Sequence, residues 1–352
     1  MRQTRLLISL LLSSRVLAVQ APLIAHTDAD LSLRLVTYNV RYDSQPDNIT
    51  VAQSLDTLPQ HSSPPSRFYA NTTEQPWSTR RLYIANDILS NHATIFAGQE
   101  LLSRQTDDLA LLLGPSWSWL GRARDDGASS GEFSPIFYRN DLFRVLVSDT
   151  FWLSATPFEP SKYPDAGSKR ICTVARLTSL KKPTRQFTVL NTHLDDQSAG
   201  QRELGASLIL HRARYEAIKT HAPVLVTGDF NSPPHDGAYQ IITGIRPPTP
   251  DLNHTFLQKY AWTPSDGKAF DNFTMLDLLD ALEPRYKLGG NYATFTDFAA
   301  GADTTQFQRL DYILAGNTAG WAVLSYRVGE NIADDGVYHS DHRPVFADLV
   351  IY

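Results

Sequence analysis

Cysteine is almost absent from this chain, since Cys172 is the only one among 352 residues. No disulfide can therefore form within the chain, and a zinc–thiolate site is excluded. A chain of this length can bury a core that is stable without such bridges. Hydrophobic residues make up 42% of the sequence and charged residues 20%, which is typical of globular proteins.

A basic tract is also missing. The chain has 32 Lys and Arg residues against 37 Asp and Glu residues, which gives a formal net charge of −5. Proteins that bind long nucleic acids usually carry Lys/Arg-rich surfaces, because phosphate neutralisation supplies most of their non-specific affinity. The charge balance therefore argues mildly against a long polynucleotide as substrate.

Long apolar runs are lacking as well. The apolar stretch Leu6–Leu12 is too short to span a bilayer. Arg2 and Arg5 precede it and residues 16–18 (Val-Leu-Ala) follow it, a pattern that predicts a signal peptide over residues 1–18 with cleavage near 18–21. A disordered or membrane-adjacent N-terminus is the alternative. Secretion would expose four N-glycosylation sequons, which begin at Asn48, Asn71, Asn253 and Asn272.

Residues 30–352 are predicted to form one domain, because no Pro/Gly/Ser-rich linker or internal repeat interrupts them. Apolar runs predict eight strands, at 33–40, 94–97, 134–138, 171–180, 186–192, 224–227, 310–314 and 345–351. Helical periodicity falls at 81–90, 101–113 and 201–219, whereas the Pro-rich segment 44–79 is predicted to be irregular. The alternation of strands and helices indicates a layered α/β fold.

Polar residues follow several of these strands, and the first two suit a metal. Asn39 and Glu100 each come directly after an apolar run. One amide oxygen and one carboxylate form a sparse oxygen-ligand set of the kind that Mg²⁺ accepts, because Mg²⁺ keeps several waters and adds substrate phosphate oxygens. Taken singly, each residue is better explained as a hydrogen-bonded strand end; the ordered combination with later motifs favours a site.

Asp229 and Asn231 stand two residues apart after the apolar run at 224–227. If the backbone stays extended there, both side chains point to the same face, where a carboxylate can activate water and an amide can donate to a phosphoryl oxygen. An Asx turn before Pro233 is the alternative. His193 lies at the end of another apolar run. It is a candidate hydrogen-bond donor to phosphate, with a structural histidine as the alternative.

His342 is the strongest catalytic candidate, within Ser-Asp-His at 340–342. Adjacent side chains on an extended backbone point to opposite faces. Asp341 can then face a metal while His342 faces a phosphate, and Asp311 from another strand can orient the imidazole. The sequence contains no P-loop, no Gly-x-Ser-x-Gly elbow and no His-Glu-x-x-His motif.

Taken in order, these motifs resemble the endonuclease/exonuclease/phosphatase superfamily over residues 33–352. The most specific matches are Gly-Asp-Phe-Asn at 228–231 and Ser-Asp-His at 340–342. The resemblance is to secreted microbial or fungal members. It implies a DNase I-like α/β four-layer sandwich, in which two packed mixed β-sheets are flanked by helices. It also implies hydrolysis of phosphodiesters or phosphomonoesters with Mg²⁺, or alternatively Mn²⁺, and no stable protein partner.

The resemblance further assigns roles. Asn39 and Glu100 would be metal ligands, and Asp341 would complete or support their site. The remaining roles are catalytic. His193 and Asn231 would contact the scissile phosphate, and Asp229 would position the water. His342, paired with Asp311, would be the catalytic histidine.

Four arginines bear on the substrate. Arg41 stands where some nucleases of the superfamily place a second acidic residue near the metal, which weakens the interpretation as a repair nuclease. Arg80, Arg122 and Arg139 are candidates for contacts to substrate phosphate, with surface salt bridges as the alternative.

Three functional hypotheses follow. The first is a phosphatase or phosphodiesterase acting on small or lipid-derived phosphate esters, which the acidic charge favours. The second is a secreted nuclease acting on DNA or RNA. The third is a binding protein that keeps the fold without catalysis, which the complete set of candidate residues disfavours.

Overall fold

The computed structural model describes residues 30–58, 64–69, 73–250, 252–284, 290–298 and 303–352. The predicted signal peptide and the sequon at Asn71 lie outside these residues. Within the described ranges, no helix is both long and apolar enough to cross a membrane.

The strands run in chain order from β1 to β12. They are β1 (Leu31–Asn39), β2 (Ile95–Gln99), β3 (Trp117–Leu120), β4 (Ile136–Arg139), β5 (Phe143–Trp152), β6 (Ile171–Ser179), β7 (Gln186–His193), β8 (Val224–Asp229), β9 (Met275–Asp277), β10 (Asp311–Gly316), β11 (Trp321–Val328) and β12 (Val345–Ile351).

The helices of the described ranges are mostly short. They are α1 (Val51–Asp56), α2 (Trp77–Ser90), α3 (Ser103–Leu113), α4 (Ala199–Thr220), α5 (Gly237–Ile242), α6 (His254–Lys259), α7 (Pro264–Gly267) and α8 (Leu278–Ala281), with a 3₁₀ turn at Lys268–Phe270. The segment 44–79 was predicted to be irregular, and this prediction is wrong in two places. Helix α1 lies within the segment and is capped by the Thr50 side-chain oxygen, and α2 begins at Trp77.

Two six-stranded sheets form the centre of the described fold. The first has the order β11-β12-β1-β2-β4-β3 and the second the order β5-β6-β7-β8-β10-β9. The pairs β1–β2 and β7–β8 are parallel and the other pairs antiparallel, so both sheets are mixed. The eight predicted strands are the eight interior strands. The four strands that were not predicted (β3, β5, β9 and β11) are the four sheet edges.

Three hydrophobic cores separate four layers. In β1, Leu33 and Leu35 face the core between the two sheets, whereas Val36 and Tyr38 face the core beneath α2 and α3. The third core lies between the second sheet and α4, α5 and α6. In β1 all of residues 35–39 are buried, so this half of the strand is covered on both faces. The predicted four-layer α/β sandwich is therefore confirmed.

Candidate active site

The second sheet places three candidate residues side by side. Asp229 ends β8 and pairs with His193 of parallel β7 and with Asp311 of antiparallel β10. Gly228 permits this approach, because its φ is +145° and a Cβ atom there would lie 2.1 Å from the carbonyl oxygen of Thr192. The glycine of the Gly-Asp-Phe-Asn motif is thus required by strand packing.

The first sheet supplies Asn39 and Glu100 from the ends of β1 and β2. Glu100 has φ +65° and Arg41 has φ +59°, so the chain turns left-handed directly after each strand. Such backbone costs on the order of 1–3 kcal/mol per residue and persists where surrounding contacts hold it. One of these contacts is the Tyr42 N–H, which donates to Glu100 Oε2 at 3.0 Å.

Two polar motif residues join the sheets beneath this cluster. The Gln99 amide donates to Asn191 Oδ1 at 2.7 Å, and the Asn191 amide donates to the carbonyls of Gly98 and Pro135 at 2.8 and 2.9 Å. All of these groups are buried, so the bonds satisfy polar atoms that would otherwise be costly. Gln99 and Asn191 therefore fix the separation of the sheets at the site.

His342 lies between two carboxylates. Its Nδ1 is 2.8 Å from Asp311 Oδ2, and its Nε2 is 3.5 Å from Asp229 Oδ2. Burial alone would lower the pKa of His342, but the Asp311 and Asp229 carboxylates outweigh it and hold the pKa well above the usual value. Thr294 Oγ1 accepts hydrogen bonds from the backbone N–H groups of Leu310 and Asp311, both at 2.9 Å, which holds the main chain that carries this carboxylate.

Asn231 reaches the same cluster through a turn. Its φ is +45°, so the segment is not extended, and its N–H donates to Asp229 Oδ1 at 2.9 Å in an Asx turn. Its side-chain amide lies 3.0 Å from His193 Nε2 and donates to the Leu194 carbonyl at 3.0 Å. The turn and the site are thus compatible, although they stood as alternatives in the sequence analysis.

Asn39 connects the two carboxylates. Its Nδ2 donates to Glu100 Oε1 and to Asp229 Oδ2, both at 2.9 Å, and lies 3.4 Å from His342 Nε2. Its Oδ1 accepts the Arg41 N–H at 2.9 Å. In this orientation the amide relieves repulsion between the carboxylates. A half-turn of the carboxamide is needed for Asn39 to offer its oxygen to a cation.

Asp341 lies beside this cluster and is buried. Its Oδ1 accepts a hydrogen bond from the Ser340 hydroxyl at 3.1 Å, and its Oδ2 is 3.9 Å from Arg41 Nε. Burial raises the pKa of Asp341 to about 6, with Glu100 contributing and with His342 opposing. Arg41 partly balances the negative charge of this end of the site, and Glu74 pairs with Arg41 at 3.4 Å.

The donor atoms fit a hard divalent cation. Atoms of Glu100, His193 and Asp229 lie within 4.8 Å of one another, and so do atoms of Asp229, Asp311 and His342. Burial opposes ionisation of Glu100, but His193, the Asn39 amide and His342 lower its pKa to about 2. A carboxylate that stays ionised among further oxygen donors is what Mg²⁺ binds.

Sequence reasoning gave no role to Glu132, which lies at the edge of the site. Its Oε2 is 3.7 Å from His193 Nδ1 and accepts a hydrogen bond from Arg124 Nη1 at 2.6 Å. The residue stands three positions before Pro-Ile-Phe-Tyr at 135–138. The only sequence signal was an acidic residue close to that strand.

The candidate phosphate-binding arginines fall into different environments. Arg80 is fully buried and donates to main-chain carbonyls, so it is not available to a substrate. Arg139 pairs with Asp141 at 2.5 Å, which agrees with the salt-bridge alternative. Arg122 is exposed.

The sequence and the fold of this chain are similar to those of known proteins. The model of the Endonuclease/Exonuclease/phosphatase family matches residues 36–342. No curated relative matches the chain.

Several solved structures share the fold. An endonuclease/exonuclease/phosphatase protein from Bacteroides vulgatus is 28% identical with a TM-score of 0.67, covering 92% of this chain and 100% of that one. The mannosyl-6-phosphatase of Bacteroides thetaiotaomicron is 25% identical with a TM-score of 0.65, covering 90% and 99%. The human nocturnin catalytic domain is 16% identical with a TM-score of 0.58, covering 91% and 95%. The chain therefore belongs to the endonuclease/exonuclease/phosphatase family of phosphate-ester hydrolases.

Proposed function

We propose that this protein is a secreted, magnesium-dependent phosphoesterase that hydrolyses a small phosphate ester by attack of water on phosphorus. The observation that carries the proposal is the convergence of Glu100, Asp229, His193 and His342 from both sheets into one buried cluster. Buried ionisable groups are costly to assemble, so a fold that gathers three of them beside the half-buried Glu100 gives up stability for chemistry.

The geometry suggests a role for each residue. Glu100 would hold the metal with Asn39 in its turned orientation, and Asp341 lies beside them. Mg²⁺, or alternatively Mn²⁺, would supply charge to polarise a phosphoryl oxygen. Asp229 Oδ2 would accept the proton of the attacking water.

The remaining residues would hold the phosphoryl group. Asp311 holds Nδ1 of His342, so its Nε2 points into the cluster beside Asp229, where the phosphoryl oxygens would bind. His193 Nε2 and Asn231 Nδ2, which lie 3.0 Å apart, would donate to the same group once the hydrogen bond between them opens.

We infer that the substrate is a sugar phosphate monoester, with one of the solved structures as support. The mannosyl-6-phosphatase aligns over nearly its whole length. The net charge of −5 supports a small substrate over a long polyanion. Tyr42, whose main chain contacts Glu100, is partly exposed, and the Arg41 guanidinium lies over its ring at 4.5 Å. A sugar ring would pack against the part of this side chain that is open to solvent.

The test is hydrolysis by the purified protein with magnesium. The panel would hold mannose 6-phosphate, glucose 6-phosphate, inositol phosphates, sphingomyelin, a bis-aryl phosphodiester, plasmid DNA and RNA. We expect sugar phosphates to be turned over fastest. Preference for DNA or RNA would assign a nuclease instead, and no turnover of any compound by folded protein would contradict the proposal.

The matched variants are His342→Ala and His339→Ala. Both histidines are buried and both hold a carboxylate at 2.8 Å, but the partner of His339 is Asp87 on α2. We expect His342→Ala to lower kcat by at least about 100-fold, the usual contribution of such a group. His339→Ala should keep kcat near the wild-type value. Equal effects would mean that the loss reflects folding and not catalysis.

A further inference from the structure

A surface groove of about 510 Å³ lies far from the candidate active site. Strands β8 and β10 are antiparallel, with Asp229 and Asp311 at one end. The groove is at the other end, because its lining includes His221, which precedes β8, and Asn317, which follows β10. The groove is therefore not part of the candidate active site.

A glycosylation sequon forms one wall of this groove. Residues 272–274 read Asn-Phe-Thr, and Asn272 is exposed. The preceding residues form a tight turn, because the Phe273 N–H donates to the Phe270 carbonyl at 3.0 Å. The Asn272 carbonyl accepts from the Asn317 amide at 2.8 Å, which holds the main chain in place. Among the described residues, the Asn272 carboxamide itself makes no hydrogen bond.

An aromatic ring lines the same groove as Asn272. Phe270 stands two residues before Asn272, lines the groove and is half-buried. The centroid of its ring lies 5.9 Å from that of the His221 ring and 6.5 Å from that of the Phe273 ring, so these two rings hold Phe270 in place. The C–H groups on one face of a pyranose pack on aromatic rings as other apolar surfaces do.

The other described sequons lack this arrangement. The Asn253 carboxamide is occupied, since its Oδ1 accepts the Phe256 N–H at 2.9 Å and its Nδ2 donates to the Ala155 carbonyl at 2.8 Å. Asn48 is exposed, but Pro46 stands two residues before it. The Asn71 sequon lies outside the described residues.

We propose that Asn272 carries an N-linked glycan whose first N-acetylglucosamine packs on Phe270 within the groove. The sugar would cover an aromatic ring that is otherwise partly open to solvent and would stabilise the turn at residues 270–273. The inference requires entry into the secretory pathway, which is part of the proposed function, but it does not depend on the hydrolytic activity.

The first experiment measures occupancy. The full-length chain would be expressed in a secreting yeast, treated with an endoglycosidase that leaves one N-acetylglucosamine, digested and analysed by mass spectrometry. We expect the peptide that contains Asn272 to carry that sugar and the Asn253 peptide to be unmodified. An unmodified Asn272 peptide would overturn the proposal, whether or not the Asn48 peptide is modified.

The second experiment tests the packing on Phe270 through a double-mutant cycle. Asn272→Gln should lower Tm by about 2 °C, the size expected for one aromatic contact in a domain of this length. The same substitution should give no shift in a Phe270→Ala background. Asn48→Gln is the matched control, and its effect should be independent of Phe270. Equal shifts for Asn272→Gln in both backgrounds would overturn the packing.

The cycle also separates this inference from the proposed function. Hydrolysis by Asn272→Gln should equal that of the wild type, because the groove and the candidate active site lie at opposite ends of β8. Loss of hydrolysis in the wild type itself would count against the proposed function and leave the Tm cycle interpretable.

Discussion

Replacing Arg80 with lysine should weaken both the fold and the catalytic site. The guanidinium has five N–H groups, and each donates to a different main-chain carbonyl at 2.6 to 3.2 Å. These carbonyls belong to Val40, Arg41, Tyr42, Gln75 and His339. Arg80 thereby joins the turn after Asn39 to the segment that leads to His342.

The magnitude follows from a count of donors. Lysine has three N–H groups, so at least two of the five carbonyls would lose their donor. The Arg41 and Tyr42 carbonyls also accept hydrogen bonds from Gln105 Nε2 and the Ser44 N–H, both at 3.0 Å. Each lost bond then costs about 0.5–1.5 kcal/mol, which predicts a loss of about 1–3 kcal/mol in the free energy of unfolding. Displacement of Asn39 or His342 by about 1 Å would lower kcat by up to about 100-fold.

The assay combines urea unfolding with kcat measured on the folded protein, and Arg81→Lys is its control. Arg81 is also buried on α2 but binds Asp108 at 2.7 Å and the Thr50 carbonyl at 2.6 Å, away from the site. We expect Arg81→Lys to lower stability and leave kcat unchanged. A loss below 1 kcal/mol for Arg80→Lys, or an unchanged kcat, would refute the positioning role.

Two further substitutions test single contacts. Asp311→Asn removes a charge-assisted hydrogen bond worth about 1.5–3 kcal/mol, so kcat should fall about 10- to 150-fold, with no further loss when it is added to His342→Ala. Independent, multiplicative losses would contradict the pairing. Burial opposes ionisation of Asp149, but the Tyr260 hydroxyl and Arg212 lower its pKa. A carboxylate whose pKa is lower in the folded state stabilises the fold when the pH is above its unfolded pKa of about 3.9. This stabilisation is lost as the pH falls through the folded-state pKa. Asp149→Asn should therefore flatten the fall of the unfolding free energy below about pH 5, and an unchanged slope would exclude the contribution.

The sequence predicted the interior of the fold better than its edges. Interior strands such as β8 are buried along their whole length, so their apolar runs are continuous and easily recognised. Edge strands β5 and β11 are half-exposed along much of their length, and their residues alternate weakly. Their place at the sheet edges follows from tertiary pairing, which a local pattern does not encode.

Polar residues at strand ends indicated the site, because Asn39, Glu100, His193 and Asp229 follow apolar runs whereas Asp311 and His342 precede them. The parallel pairs β1–β2 and β7–β8 then bring such ends together. The buried pairing of Arg80 with five carbonyls was not predictable, because main-chain acceptors leave no mark in the sequence. The left-handed backbone at Asn231 and Glu100 was missed for a similar reason, since contacts from distant segments hold it.

The most direct test of the central claim is metal-dependent hydrolysis of mannose 6-phosphate by the wild type and by Glu100→Gln. Activity should disappear with a chelator and return with added Mg²⁺ in the wild type. Glu100→Gln, which keeps the size of the side chain but removes its charge, should need far more Mg²⁺ for half-maximal activity. Hydrolysis that persists in the chelator, or an identical Mg²⁺ requirement in the variant, would contradict a metal site built on Glu100.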